Sequence, residues 1–297
     1  RSENSPVVAE LPQDNMKKRL PVIIPVAPCL RDHHFEGKAV LPAVESLILL
    51  ARIAGELHPG ANLHHQADAQ FPRLLVIEPG AEVLDLEVDV EQSPSGIKAS
   101  LFSLLKVRKS PISRRLEHAC VTFAHVDISP QTAVPSYEAV EARRDCIFIP
   151  SDKIYRELIP FGPSYQNIIG ELAICKDWAL ASIAGGTGQA DETLLGSPFV
   201  LDAAMHAACV WGQRYAGIVP FPVGIDRRII HQATKKEKNY LARIVPTATE
   251  SELCFDVWIF EQDGVLCESI TGLRMRDITR GRMHPPGWVR EGAWKKF

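Results

Sequence analysis

Two short stretches of this sequence carry side chains that could move protons. In the first, Gly37 follows His33 by four residues and Pro42 follows Gly37 by five, at the start of a long apolar run. Histidine suits proton exchange near neutral pH, and glycine lets the backbone approach a ligand closely. Proline suits the first turn of a helix, and the free N–H groups of the helix predicted over 43–57 could bind a polarised carbonyl oxygen. The stretch therefore predicts a base beside an oxyanion donor, although this spacing also arises by chance.

The second stretch is an apolar helix predicted from Pro198 to Tyr215, with Ser197 as its N-cap and Pro198 as its first residue. Asp202 and His206 interrupt its apolar pattern four residues apart, so they project from the same face. Burial should raise the pKa of Asp202 and favour the neutral acid, which is the form that donates a proton. A structural pair near the start of the helix is the alternative.

Composition and charge restrict the functional classes. The chain has 297 residues, of which 46% are hydrophobic and 23% are charged, as in a globular protein of one large or two ordinary domains. A net charge of −3 gives no general attraction to nucleic acid, and no apolar run is long enough for a membrane span. The first residue is Arg1 rather than Met, which indicates a piece of a longer protein.

Seven cysteines are scattered along the chain without a C-x-x-C pair. An odd number of widely spaced cysteines favours reduced, buried thiols and a cytoplasmic location over a disulfide framework or a zinc site. The adjacent His64 and His65 have no cysteine or carboxylate at ligand spacing, so they do not predict a metal site.

The hydrophobic patterns occur in the same order in two halves of the chain. The first half predicts a strand at 20–26, the helix 43–57, and strands at 69–77, 81–90, 97–107 and 114–126. The second half predicts strands at 168–176 and 178–184, the helix 198–215, and strands at 223–230, 239–246, 252–261 and 265–276. One buried helix with an antiparallel sheet in each half is an α+β layout.

Polar and Pro-rich stretches between these patterns predict the boundaries. They are a leader at 1–19, an N-terminal unit at 20–128, a linker at 129–150, a C-terminal unit at 151–279 and a linker at 280–297.

Together these residues resemble the dehydratase domains of polyketide synthases and related fatty acid synthases. His33, Gly37 and Pro42 match the family's H-x-x-x-G-x-x-x-x-P motif, and Asp202 and His206 match its D-x-x-x-Q/H motif. A third family motif, Y-G-P-x-F, is similar to the run Phe161, Gly162, Pro163, Ser164 and Tyr165. The resemblance covers roughly residues 20 to 278. It implies a double hotdog fold, with two antiparallel sheets that each wrap around a buried central helix.

The resemblance also implies a reaction. His33 would remove the α-proton of a 3-hydroxyacyl thioester, and Asp202, held by His206, would protonate the departing β-hydroxyl. The Gly37 N–H would polarise the thioester carbonyl, and the products would be an enoyl thioester and water, without a metal or redox cofactor. The acyl chain would arrive on the phosphopantetheine arm of an acyl carrier protein, beside neighbouring synthase domains. Such domains are often homodimers, although the sequence shows no self-complementary patch.

Several residues depart from the family pattern. Phe161 replaces the usual Tyr and removes a hydroxyl, for which Tyr165, at a position usually occupied by Phe, could compensate. Ala43 stands where Gly is common, which would narrow the substrate tunnel. The adjacent His34 leaves open which imidazole faces the site, although the motif spacing favours His33.

Two other functions remain open on the same scaffold. One is a related reaction, by a cyclase of the product-template kind or a double-bond isomerase. The other is a non-catalytic module that binds acyl chains. The basic run 235–238 is interpreted as a solvated turn that could also contact an acidic carrier protein.

Overall fold

The structure is a computed structural model, and the residues that it describes are 17–106, 113–125, 134–135, 146–187, 194–247 and 252–290. Most of the predicted leader 1–19 and most of the linker 129–150 lie outside the described residues, as do the predicted strand ends at 107 and 126. None of the helices within the described ranges has the length and apolar character needed to cross a membrane.

The first half is built around helix α1 (Ala43–Leu57). Pro42 stands just before the helix rather than in its first turn, with φ at −59°, which its ring fixes. Apolar residues three and four positions apart, among them Leu47, Leu50 and Ala54, are buried against strands β6 (Gly96–Lys106) and β7 (Ser113–Ala124). The other strands of this half are β1 (Lys17–Pro25), β2 (His34–Phe35), β3 (Lys38–Ala39), β4 (His65–Gln70) and β5 (Val83–Ser93).

The second half repeats this plan around helix α3 (Pro198–Tyr215), in which every residue from Pro198 to Arg214 is buried. A short helix, α2 (Ser151–Lys153), continues into a π-helical turn, Ile154–Leu158. The strands are β8 (Ile147–Pro150), β9 (Ile168–Cys175), β10 (Trp178–Ala184), β11 (Phe221–Ile230), β12 (Asn239–Thr247), β13 (Leu253–Glu261) and β14 (Leu266–Arg276). Helix α3 packs on β9, β10, β12 and β13.

The described strands other than β2 and β3 form one twelve-stranded sheet in the order β1-β5-β6-β7-β4-β11-β14-β13-β12-β10-β9-β8, and all its pairings are antiparallel. The first five strands belong to the first half and the other seven to the second. The halves join where β4 pairs with β11, from His65 opposite Ile229 to Gln70 opposite Gly224. Helices α1 and α3 also contact each other. The two predicted sheets are therefore continuous across this seam.

The strand predicted at 69–77 is wrong in position, because β4 spans His65–Gln70. Beyond it, Leu75 accepts the N–H of Leu41 and Ile77 donates to Ala39, so this apolar segment covers the approach to α1 instead of extending the sheet. Pro72 has no N–H to give to a central strand, which explains why β4 stops before it.

The prediction that all seven cysteines are reduced is also wrong, because Cys146 and Cys175 form a disulfide. Strand pairing of Ile147 with Ile174 brings these two side chains together, with Cα atoms 4.4 Å apart. Sequence spacing alone, a separation of 29 residues, gives no sign of this cross-strand contact. The other five cysteines are free.

Part of the predicted C-terminal linker packs into the protein. Val289 is completely buried, and its carbonyl oxygen accepts a hydrogen bond from Arg214 of α3 at 3.1 Å. The described segment 280–290 therefore belongs to the folded unit, contrary to its linker-like composition. The domain boundaries themselves stay predictions.

Candidate active site

His33 lies between a 3₁₀ helix, Pro28–Asp32, and strand β2. Its Nδ1 is 3.0 Å from the carbonyl oxygen of Val40, and the Val40 N–H donates to the carbonyl of His33 at 2.9 Å. Because a carbonyl oxygen can only accept, Nδ1 carries the ring proton and Nε2 of the neutral ring is the free base. Nε2 lies 3.9 Å from Oδ1 of Asp202.

The surroundings of His33 favour the neutral ring. Burial lowers the pKa of His33 below its ordinary value, because water no longer stabilises the imidazolium. The nearby Asp202 opposes this effect, while the nearby His206 adds to it. A neutral imidazole in an apolar pocket can accept a proton from carbon.

Helix α3 places Asp202 and His206 on one face, and both are buried. Oδ2 of Asp202 is 2.9 Å from Nε2 of His206, so the two side chains are in direct polar contact. Burial alone would raise the pKa of Asp202, but its interactions with His206 and His33 outweigh this effect and hold the pKa below its ordinary value. The sequence-based expectation of a raised pKa is therefore wrong: the carboxyl is ionised and paired, and it needs a proton before it can act as an acid.

Tyr155 is a site residue that the sequence did not reveal. It lies in the turn after α2, and its hydroxyl is 3.3 Å from Nδ1 of His206. The same hydroxyl accepts the N–H of Ile168 at 2.8 Å, which fixes its position. A tyrosine in an amphipathic segment is common, so only the fold shows that this hydroxyl supports the Asp202–His206 pair.

The segment 161–165 lies against both halves of the site. The Phe161 ring centroid is 4.4 Å from that of His33 and 5.1 Å from that of His206. Tyr165 is fully buried, with its ring centroid 5.2 Å from that of His33, and its hydroxyl has no hydrogen-bond partner among the described residues. Phe161 lines the cavity described below and Tyr165 does not, so Tyr165 does not replace the missing hydroxyl at the cavity wall.

Gly162 and Pro163 shape this segment. Pro163 opens the 3₁₀ turn Pro163–Tyr165, for which its fixed φ is suited. A Cβ atom at Gly162 would collide with the carboxyl group of Asp32, so glycine is required here by close packing.

Gly37 lies at the tip of the β2–β3 hairpin, where it has a φ of +75° and follows Glu36 with a φ of +49°. This turn geometry favours glycine. A Cβ atom at Gly37 would meet no protein atom, and the cavity wall includes Glu36 and Val40 but not Gly37. The structure therefore explains Gly37 by its backbone conformation, while its N–H donor role stays a proposal.

A cavity of about 350 Å³ contains the candidate residues and is lined by both halves of the protein. The polar residues of its wall include His33, His34, Asp202 and His206. Of the two adjacent histidines, His33 comes within 4 Å of Asp202, and its assignment as the base stays a prediction. The remaining wall is largely apolar and includes Leu41, Leu75, Leu158, Met205, Cys209 and Met275. Such a cavity suits an acyl chain with one polar group at its reacting end.

Comparison with known proteins finds similar sequences. Residues 149–285 match the family model described as polyketide synthase dehydratase N-terminal domain. A polyunsaturated fatty acid synthase polypeptide of Thraustochytrium sp. is 25% identical over 224 residues, which are 71% of this chain and 8% of that protein. The chain resembles a polyketide synthase dehydratase domain.

Solved structures of dehydratase domains share the fold. That of a mycocerosic acid synthase-like polyketide synthase is 18% identical with a TM-score of 0.69, covering 89% of this chain and 93% of that one. That of the CurF module of the curacin synthase is 19% identical with a TM-score of 0.68, covering 91% and 96%. That of PpsC from Mycobacterium tuberculosis, in complex with C12:1-CoA, is 16% identical with a TM-score of 0.64, covering 87% and 93%. The predicted double hotdog is confirmed.

Proposed function

We propose that this dehydratase-like chain removes water from a 3-hydroxyacyl thioester on an acyl carrier protein and gives the 2-enoyl thioester. The observation that carries the proposal is the pair of His33 Nε2 and Asp202 Oδ1, 3.9 Å apart in the wall of one largely apolar cavity. A base and an acid so placed can act on adjacent carbons of one substrate.

In the proposed reaction, the lone pair of His33 Nε2 takes the α-proton. The electrons of the broken C–H bond form the Cα=Cβ double bond, and the β-hydroxyl leaves with a proton from Asp202 as water. Loss of water leaves the overall oxidation level of the substrate unchanged, so the reaction itself needs no redox partner. The backbone N–H of Gly37, by resemblance, and the uncapped N-terminus of α1 are assigned to the thioester carbonyl.

The lowered pKa of Asp202 requires a proton source beside it. We assign this role to His206, whose Nε2 is 2.9 Å from Oδ2. As the departing β-hydroxyl takes a proton from Oδ1 of Asp202, the proton on the His206 ring moves to the Asp202 carboxyl group. The proton that His33 gained then returns to the Asp202–His206 pair, and this transfer restores the starting protonation state of the site. His206 is a positioning residue and proton store in this scheme.

The substrate chain would enter on a phosphopantetheine arm, and the partners would be an acyl carrier protein and neighbouring synthase domains. Exposed charged residues at the open side of the cavity, Glu36, Arg73 and Arg276, mark where that arm would pass. A cytoplasmic location stays part of the proposal. The Cys146–Cys175 disulfide argues against a cytoplasmic location, because reducing compartments keep most thiols free.

The test is mass spectrometry of a carrier-bound 3-hydroxyacyl chain incubated with the protein. Wild type should remove one water, whereas His33→Ala and Asp202→Asn should lower the rate by about 100-fold or more, because each lacks one proton-transfer group. His34→Ala is the matched control and should keep most of the rate. Ring formation from a poly-β-keto chain would instead identify a cyclase, and binding without turnover an acyl-binding module.

A further inference from the structure

Asp32, the residue directly before the proposed base, is bonded to the opposite half of the protein. Its carbonyl oxygen accepts the N–H of Gly162 at 2.7 Å. Its Oδ2 accepts the backbone N–H of Ser164 at 2.9 Å and the Ser164 hydroxyl at 2.5 Å. We name these three residues the Asp32 clasp. The hydrogen bonds of its carboxyl group connect residues that are 132 positions apart in sequence.

The clasp and the aromatic contacts of His33 come from the same segment. Phe161 precedes Gly162, and Tyr165 follows Ser164, and both rings touch His33. The backbone of the base and its ring are therefore held by one piece of the second half. The other support of the ring, the Val40 carbonyl oxygen, belongs to the first half.

This arrangement affects the distance between His33 in the first half and Asp202 in the second half. His33 belongs to the first half and Asp202 to helix α3 of the second, so their 3.9 Å separation depends on how closely the first half approaches α3 at this point. The seam of β4 with β11 joins the halves through the sheet. The clasp joins them next to the cavity-lining residues His33 and Phe161, and the packing is so close that a Cβ atom at Gly162 would overlap the Asp32 carboxyl.

We propose that Asp32 is a positioning residue, which uses its carboxyl group to hold the His33 ring at the correct place opposite Asp202. Its effect on rate rests on the proposed dehydratase function, but its effect on the ring position does not. The chemistry required of Asp32 is acceptance of two hydrogen bonds, for which the negative charge strengthens the contact.

The variants separate these requirements. Asp32→Ala removes both side-chain hydrogen bonds, and Ser164→Ala removes only the one from the hydroxyl. Asp32→Asn keeps one oxygen acceptor of similar shape. We expect kcat to fall by about 10- to 100-fold in Asp32→Ala with KM changed by less than about 3-fold, because the base is displaced while the cavity remains. The fall in kcat should be smaller in Ser164→Ala, and Asp32→Asn should keep most of the wild-type kcat.

A second readout does not need turnover. Nuclear Overhauser contacts between the His33 ring and the rings of Phe161 and Tyr165 should be strong in wild type, weak in Asp32→Ala and restored in Asp32→Asn. If wild type lacks dehydratase activity, the proposed function fails, and these contacts still decide the role of Asp32.

Asp256 provides the matched control. Its carboxyl accepts the N–H of Gly272 at 3.0 Å, it is buried, and it does not line the cavity. Asp256→Ala should lower the melting temperature but leave kcat and the His33 ring contacts unchanged. The proposal is overturned if Asp32→Ala keeps its ring contacts, if Asp32→Asn is as impaired as Asp32→Ala, or if Asp256→Ala lowers kcat equally.

Discussion

At the scale of single residues, the surroundings of His33 suit the base that we propose it to be. Its Nδ1 donates a hydrogen bond to the carbonyl oxygen of Val40, and its Nε2 lies 3.9 Å from Oδ1 of Asp202. Burial lowers the pKa of the ring from its ordinary 6.5. Because the neutral ring is the reactive form, the lowered pKa keeps the base active to lower pH than a solvent-exposed histidine would allow.

The first prediction concerns the pH profile of kcat/KM. As pH falls through the pKa of His33, the base becomes protonated and the rate is lost, so we expect the acid limb below pH 6.5. Phe161→Ala exposes the His33 ring to water and should shift the acid limb to higher pH, towards pH 6.5. A wild-type limb at or above 6.5 would contradict the argument.

The second prediction concerns Tyr155. Tyr155→Phe removes the contact with His206 and leaves the buried N–H of Ile168 without its acceptor. We expect a loss of about 1 to 2 kcal/mol in unfolding free energy and roughly a tenfold lower kcat. Urea unfolding and turnover measurements check both values.

The control for that prediction is Tyr240→Phe. The Tyr240 hydroxyl accepts the N–H of Lys235 at 2.6 Å, and the side chain is buried outside the cavity. This variant should lose similar stability and keep its kcat. An equal fall in kcat for both variants would show that the Tyr155 effect is not specific to the site.

The sequence revealed those site residues that contrast with their surroundings. Asp202 and His206 stand out in an apolar helix, and His33 stands out through its spacing to Gly37 and Pro42. Tyr155 and Asp32 have no such contrast, because their roles arise from contacts with distant segments. The charge state of Asp202 was predicted incorrectly for the same reason: burial follows from the local pattern, but the positions of two histidines do not.

At the scale of elements, the two helices were predicted from end to end because local signals bound them. Pro42 precedes α1, and Ser197 and Pro198 begin α3. Ser197 nevertheless does not cap α3 with its side chain, since its hydroxyl donates to the carbonyl of Gly185. Strand β4 was misplaced because its own residues are mostly polar, while the apolar segment after it packs over the approach to α1.

The third prediction concerns the disulfide between the entry to β8 and the end of β9. Alkylation of the unfolded, unreduced protein should modify five cysteines, and prior reduction should raise this to all seven. The double variant Cys146→Ser, Cys175→Ser should lose about 3 kcal/mol of unfolding free energy, since the bond restricts the unfolded chain. Seven reactive cysteines without reduction would contradict the bond.

At the scale of the whole molecule, the site exists only where the two halves meet. The first half supplies the proposed base, the second supplies the proposed acid pair, and the cavity wall is shared between them. Repetition of one plan in sequence predicted the two units. It could not predict the continuous sheet, because pairing of β4 with β11 depends on which edges remain free after each half has folded.

The last prediction follows from the direction of the cavity. Asp202, Met205 and Cys209 line it along one face of α3, so its wall extends about 10 Å from the reacting end, at about 1.5 Å per residue. Cys209→Phe would fill the far part without touching the acid. We expect kcat/KM to fall at least about tenfold for a long 3-hydroxyacyl thioester and to change less than about twofold for a short one, because overpacking of this kind costs about 1 to 3 kcal/mol.

Cys254→Phe makes the same change at a buried position outside the cavity, so it should lower stability without altering chain-length preference. Equal losses for long and short substrates in Cys209→Phe would show that the acyl chain does not run along α3.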